Sequence, residues 1–204
     1  MKLIATEMVS LDGVYQGPGG PDEDRRGGFD HGGWQAAHAG EEDGAFIMST
    51  YEGADALLLG RVTWQIWEPY WPNHDDNPIG HIINTLPKHV PSTTLTNPTW
   101  QNTHVISGDD AEVEAAIRDL KAKPGRDLLV QGSGALVQWL LERDLVDELD
   151  LLVYPVLLGD GLRLFPERGQ THDLELIESR STPSGVTIQV YRPNGRARFE
   201  SMEA

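Results

Sequence analysis

Apolar residues come in short runs, and the breaks between them are rich in glycine and proline. Residues 2–10 alternate between apolar and polar, which predicts a first strand. Residues 56–59, 90–95, 104–107, 127–130 and 148–157 read as further strands, the last near-continuously apolar until Pro155 breaks it. Pro91 places the 90–95 strand at an edge or a bulge, because proline lacks the amide a ladder needs. Helical spacing fills the gaps. Phe46, Ile47 and Tyr51 mark one helix or two short ones across 34–53. A short helix from Arg61 ends at Pro69 and Pro72, and another is expected over 79–86. Residues 111–122 carry Val113, Ile117 and Leu120 on one face, and 133–143 form a last helix. After Gly161 the alternation changes, and 172–181 and 185–192 flank T-P-S-G as an antiparallel hairpin.

Alternating strands and helices that end in a hairpin predict an α/β fold of three layers, α/β/α. Its sheet is mostly parallel with a C-terminal antiparallel hairpin. The 204 residues suit one domain, 1–204, with a long loop at 13–33 and a tail at 194–204. A loop of that length inside a compact domain reads as a functional lid or as a disordered segment.

Charge and composition narrow the partners. Sixteen basic against 32 acidic residues leave a net charge of −16, which repels nucleic acid and anionic membranes. An anionic ligand therefore needs a local cluster of donors. There is no cysteine, so disulfides and thiolate chemistry are excluded. The first ten residues do not form a signal peptide and no stretch is long and apolar enough for a membrane helix, so a cytoplasmic protein is expected. Seven histidines lack metal-ligand spacing, and no G-x-S-x-G elbow is present. No metal is expected.

Two junctions carry candidate chemistry. In L-L-L-G-R-V-T-W (57–64) a buried strand breaks at Gly60 and a helix starts at Arg61. Glycine lets backbone approach a ligand, helix-initial amides attract anions, and arginine offers a fork matched to phosphate. In V-Q-G-S-G-A-L-V (130–137), Gly132, Ser133 and Gly134 turn a strand into a helix and suit a pyrophosphate, although Val137 stands where a dinucleotide fingerprint has its third glycine. An ordinary structural turn explains either junction equally well. Hydroxyls at P-S-T-T-L (91–95) suit a ribose or phosphate, or simply a strand. Asp12, in S-L-D-G (10–13), can anchor a heterocycle, relay a proton or make an Asx turn. Asp43 joins Glu41 and Glu42 at a helix start, where acids favour the dipole. Trp64, Trp67 and Trp71 share helical spacing and suit packing or the wall of a planar site.

As a set these motifs, with K-H-V-P-S-T-T-L (88–95), L-V-D-E-L (145–149) and P-V-L-L-G-D-G-L-R-L-F (155–165), run through nearly the whole chain in a known order. The chain resembles the stand-alone reductases related to the C-terminal domain of the riboflavin-biosynthesis deaminase–reductase, which share the dihydrofolate reductase fold. The resemblance implies an oxidoreductase that uses NADPH, with NADH as a possible substitute. It implies hydride transfer to a small pyrimidine-, pterin- or ribosylamino-pyrimidine-like substrate, and a homodimer. A non-catalytic nucleotide- or pterin-binding protein on the same fold is the alternative. By that analogy Gly60, Arg61 and Thr63 hold cofactor phosphate. Ser92 and Thr93 lie near the adenosine ribose and its 2′-phosphate. Gly132, Ser133, Gly134 and Ala135 cradle the pyrophosphate, and Gly159 and Gly161 shape the nicotinamide end. Asp12 and then Asp43 are the catalytic candidates, Asp43 because dihydrofolate reductases carry an acid on the corresponding helix. Many relatives have a basic residue where this chain has Thr93, which leaves Arg61 as the main cation for a 2′-phosphate. The 148–158 strand and the terminal hairpin are the expected dimer surfaces.

Overall fold

The computed structural model describes residues 1–165 and 167–201. Eight strands form one sheet: β1 (Lys2–Ser10), β2 (Ala54–Leu58), β3 (Lys88–Pro91), β4 (Thr103–Ile106), β5 (Asp127–Gln131), β6 (Glu148–Tyr154), β7 (Leu174–Ser181) and β8 (Thr187–Pro193). Five α-helices join them: α1 (Glu41–Gly53), α2 (Arg61–Trp67), α3 (Pro78–Thr85), α4 (Asp110–Ala122) and α5 (Gly134–Glu142). The strand order is β4-β3-β2-β5-β1-β6-β8-β7, parallel from β4 to β6 and antiparallel for β8 and β7.

Side-chain alternation builds the layers. Ile4, Leu57, Leu129 and Leu152 face one side of the sheet and pack with Ile47 and Tyr51 of α1 and Ile83 of α3. Leu3, Ala5, Leu58, Leu128 and Val130 face the other and pack with Ile117 and Leu120 of α4 and Val137 and Leu140 of α5. This is the three-layer α/β/α arrangement with a C-terminal antiparallel hairpin. Among the described residues no helix is long and apolar enough to cross a membrane.

Three local expectations change. The helix expected over 34–53 begins only at Glu41, because Gly40 is extended and its amide is held by Asp43, the third residue of α1. Residues 34–38 form turns instead. β3 is not an edge strand: it lies between β2 and β4, and Pro91 is its last residue. Lys88 and Ser92 donate to the β4 side, so the Pro91 nitrogen faces β2, whose pairing with β3 ends at Leu58–His89, and the missing amide leaves no ladder bond unmade. β6 is enclosed between β1 and β8, so both of its hydrogen-bonding edges are paired. The edge belongs to β7, which exposes Leu176 and Ile177.

The 13–33 segment is not a free lid. Phe29 and Trp34 are buried in the core, and Trp34 Nε1 donates to the Gln16 carbonyl at 2.8 Å. Gln16 Nε2 in turn donates to the Asp24 and Arg26 carbonyls at 3.2 and 3.0 Å. Val14 pairs with Arg163 as an isolated antiparallel bridge. The segment is packed down as the wall of a cleft.

Candidate functional site

The cleft arises because β5 is short. Its pairing with β1 ends at Thr6–Gln131, while β1 continues beside β6 to Ser10–Tyr154. Beyond Gln131 the sheet leaves a gap at the carboxyl ends of its strands, where ligands of open α/β sheets bind. A cavity of about 190 Å³ lies there. Gly60, Arg61 and Thr63 line it from one strand-to-helix turn, and Gly132, Ser133 and Ala135 from the other.

The two turns touch. A Cβ on Gly60 would stand 2.2 Å from Ser133 Oγ and 2.6 Å from its Cβ, so no larger residue fits without moving that serine. The Thr63 and Ser133 hydroxyls hydrogen-bond to each other across the junction. Gly132 has φ 71° and Ser133 φ 73°, two successive left-handed residues. For serine this conformation is uncommon, and such strain concentrates at ligand sites. A Cβ on Gly134 would stand 2.5–2.7 Å from the Tyr15 ring, so close backbone approach also fixes this glycine. Arg61 extends along α2, with Nη1 on the neutral Gln65 Oε1 at 2.7 Å.

The floor and far wall were not foreseen. Glu7 of β1 is 2 % exposed, and its Oε1 has no hydrogen-bond partner. Burial pushes its carboxyl up to about 8, so it is mainly neutral at pH 7. Gln131, at the end of β5, is equally buried; its Oε1 has no partner, and its Nε2 makes only a 3.7 Å contact with Met8 Sδ. Tyr15 lines the same cavity, its hydroxyl raised by burial and then by Glu7. On the rim, the Asp24 carboxylate takes Arg26 Nε at 2.8 Å and Nη2 at 2.6 Å, a two-point pair that preorganises Arg26. One signal for Glu7 was present in the sequence. It falls in phase with Leu3, Ala5 and Val9, the buried positions on one face of β1.

The remaining candidates lie outside the cavity lining. Asp12 ties the end of β1 to the 158–163 loop. Its carboxylate accepts from Ser10 Oγ at 2.6 Å, Leu158 N at 3.1 Å and Gly159 N at 2.9 Å, and pairs with Arg163 at 3.1 Å. Burial pushes this group up, but the hydrogen bonds outweigh it and hold it well below the ordinary carboxylate range. An acid so committed to its ionised form is a poor proton source, and the geometry makes Asp12 a structural tie. Asp43 is 1 % exposed and serves the start of α1, accepting from Gly40 N at 2.9 Å and Ser184 Oγ at 3.3 Å. It sits beside the buried Tyr154 hydroxyl, whose ionisation burial and then Asp43 itself suppress. Ser92 Oγ caps its own turn through Thr94 N and Leu95 N. Ser92 and Thr93 follow β3, the strand next to β2 and its Gly60 end. Gly159 donates to Asp12, and Gly161 has φ 107° and packs on Val14 and Phe29. Neither lines the cavity. Among the described residues no group of three or more metal-binding side chains occurs.

Residues 1–188 match the model of the RibD C-terminal domain. The uncharacterized protein YyaP of Bacillus subtilis (strain 168) is 30% identical over 145 residues, covering 69% of this chain and 75% of that protein. Among solved structures, one from Shewanella sp. PV-4, provisionally assigned to riboflavin biosynthesis, superposes with a TM-score of 0.71 at 26% identity over 95% of this chain and 99% of that one. The Saccharomyces cerevisiae riboflavin biosynthesis reductase Rib7 superposes with a TM-score of 0.60 over 95% and 90% of the two chains, a likeness of fold at 16% identity.

Proposed function

Since the chain belongs to the RibD C-terminal domain family, we propose that it is an NADPH-dependent reductase of a small pyrimidine- or pterin-like heterocycle. The carrying observation is the contact between two glycine turns over the end of β5. Gly60 stands against Ser133 so closely that only a glycine leaves the passage open. A dinucleotide fits this donor set. Backbone at Gly132–Ala135 would receive the pyrophosphate, where α5 begins, and Gly60, Arg61 and Thr63 would hold phosphate from the other side. Ser92 and Thr93 extend that side along the neighbouring strand end.

When bound, the reduced nicotinamide supplies a hydride from C4 to a polarised C=N or C=O. The protein's own part is placement and dryness. Trp67, Ile66 and Leu136 wall the cavity with apolar surface, and the packed 13–33 segment closes its far side. Arg26 and Arg61 are the cations of the lining, in a chain whose net charge of −16 opposes anions elsewhere. A second copy of the chain is the proposed partner, docking on the β7 edge where Leu176 and Ile177 are exposed.

Titration with NADPH and NADH, followed by quenching of the tryptophan emission to which Trp67 in the cavity wall contributes, tests this function. NADPH is expected to bind at low micromolar concentration. Arg61→Ala should weaken NADPH by about one to two decades, the value of a charge-assisted contact, and NADH far less. No binding of either cofactor at high micromolar concentration overturns the reading.

A further inference from the structure

We propose that Glu7 and Gln131 read the edge of an amide on the ligand, Glu7 donating a hydrogen bond to its carbonyl and Gln131 Oε1 accepting from its N–H. The inference rests on the reductase function above. It concerns a part of the cavity that the two phosphate-holding turns do not explain.

Both side chains are 2 % exposed, both line one cavity, and each has a buried oxygen without a partner. Gln131 pairs in register with Thr6 and shares the face of Met8, while Glu7 points to the other face; both reach one cavity because β5 ends at Gln131 and leaves the sheet open there. A buried polar atom left unpaired costs about 1–3 kcal/mol. Two such atoms in one pocket mark a place where a ligand completes the hydrogen bonding. Their chemistry says which ligand group fits. A protonated carboxyl offers one O–H donor, and the free Gln131 oxygen offers one acceptor. A planar amide presents the complement, a carbonyl oxygen beside an N–H. A carboxylate does not, because it has no donor for Gln131.

The titratable and charged groups facing Glu7 across the cavity are Tyr15, Glu23, Asp24 and Arg26 from the 13–33 segment and Arg61 from α2. β5 and the start of α5 contribute only Gln131, Gly132, Ser133, Ala135 and Leu136 to the lining, none of them titratable. With Arg26 tied to Asp24, burial dominates and keeps Glu7 protonated to about 8. Ligand affinity therefore depends on a proton held at Glu7.

The amide edge has two sources in this reaction class, the carboxamide of the nicotinamide and the lactam of the heterocycle. Calorimetric titration from pH 7 to 9.5 distinguishes them. The ligands are NADP+, its analogue with a carboxylate in place of the carboxamide, and 7,8-dihydrofolate added to the NADP+-saturated protein. If the carboxamide is read, NADP+ affinity falls toward about tenfold per pH unit above about 8. The carboxylate analogue then binds at least about tenfold more weakly, the loss expected from one mispaired buried group. If the lactam is read, dihydrofolate shows the pH dependence and NADP+ does not. In either case Glu7→Gln, which keeps a donor, removes the pH dependence. Glu7→Leu and Gln131→Leu each weaken the ligand by about tenfold, while thermal melting confirms the fold. Affinities that are flat with pH for both ligands and unchanged in the leucine variants overturn the inference and leave the reductase function standing. Failure of every nicotinamide dinucleotide and of dihydrofolate to bind the wild-type protein overturns both.

Discussion

Replacing Glu7 with glutamine should change how stability depends on pH. The folded protein holds this carboxyl neutral up to about 8, against an ordinary value of 4.5. Between those two values the unfolded chain has released the proton and the folded chain still carries it. The folded state then binds more protons, so stability falls as pH rises through that window and levels off above it. At about 1.4 kcal/mol for each pH unit, the window from 4.5 to about 8 amounts to at most about 5 kcal/mol. Water entering the open cleft softens the burial, so a loss of about 2–4 kcal/mol is expected. Glutamine has nearly the same shape and no charge. At pH 5 the variant and the wild type should therefore agree within about 1 kcal/mol. By pH 9 the variant should be more stable by the full amount.

Urea unfolding followed by tryptophan fluorescence at pH 5, 6, 7, 8 and 9 gives the two curves. Other groups tilt both of them. Asp150, also buried and pushed up to about 7 by burial and then by Glu148, loses stability in the same direction. Repulsion within a chain of net charge −16 adds to it. These contributions are common to both proteins, so the difference between the curves isolates Glu7. A difference that stays constant from pH 5 to pH 9 would refute the reasoning, because Glu7 would then ionise as an exposed acid does.

Gly60→Ala should spare the fold and spoil the cleft. Gly60 has φ −64°, which alanine adopts freely, so what opposes the change is the close approach to Ser133, 2.2 Å to Oγ and 2.6 Å to Cβ. NADPH should weaken by about tenfold or more, a cost near 1.4 kcal/mol, while the melting temperature moves by less than about 4 °C; unchanged affinity would mean that this close approach does not shape the binding surface. Lys88→Met should do the reverse. Lys88 is fully buried and its Nζ donates to the Ile83, Asn84 and Leu86 carbonyls at 2.7, 3.1 and 2.8 Å, closing the end of α3 over the Trp100 ring. Methionine keeps the apolar stem but strips three carbonyls of their donor, for a loss of about 3 kcal/mol and a melting temperature lower by roughly 10 °C; a shift under about 2 °C in differential scanning calorimetry contradicts it.

The sheet was legible because hydrophobic phase and turn chemistry agree along most of the chain. Residues 2–10 alternate, 111–122 carry one apolar face behind an Asp109 cap, and T-P-S-G sits between two alternating segments. Where the reading slipped, strand pairing or a helix cap decided the outcome. Pro91 looked like an edge residue, yet the strand stays interior because the proline falls where pairing stops. Helical spacing across 34–40 was overridden by Gly40 and the Asp43 cap. The site divides the same way. Gly60, Arg61, Thr63, Gly132, Ser133 and Ala135 line the cavity, and their turns were readable because a strand breaking at glycine into a helix is a local event. Asp12 drew attention as an acid at a strand end, but its neighbours 146 and 147 residues away in sequence, Leu158 and Gly159, consume its oxygens. Glu7 escaped for the opposite reason. An acid inside a strand suggests a solvent face, unless its phase with Leu3, Ala5 and Val9 is weighed above its charge. Burying it is costly, and the structure supplies Oε1 with no partner to offset that cost. In a β-strand, then, a charged residue in the inward phase is a stronger pointer to a site than an acid at a turn, because a turn provides amides to satisfy a carboxylate and a core does not.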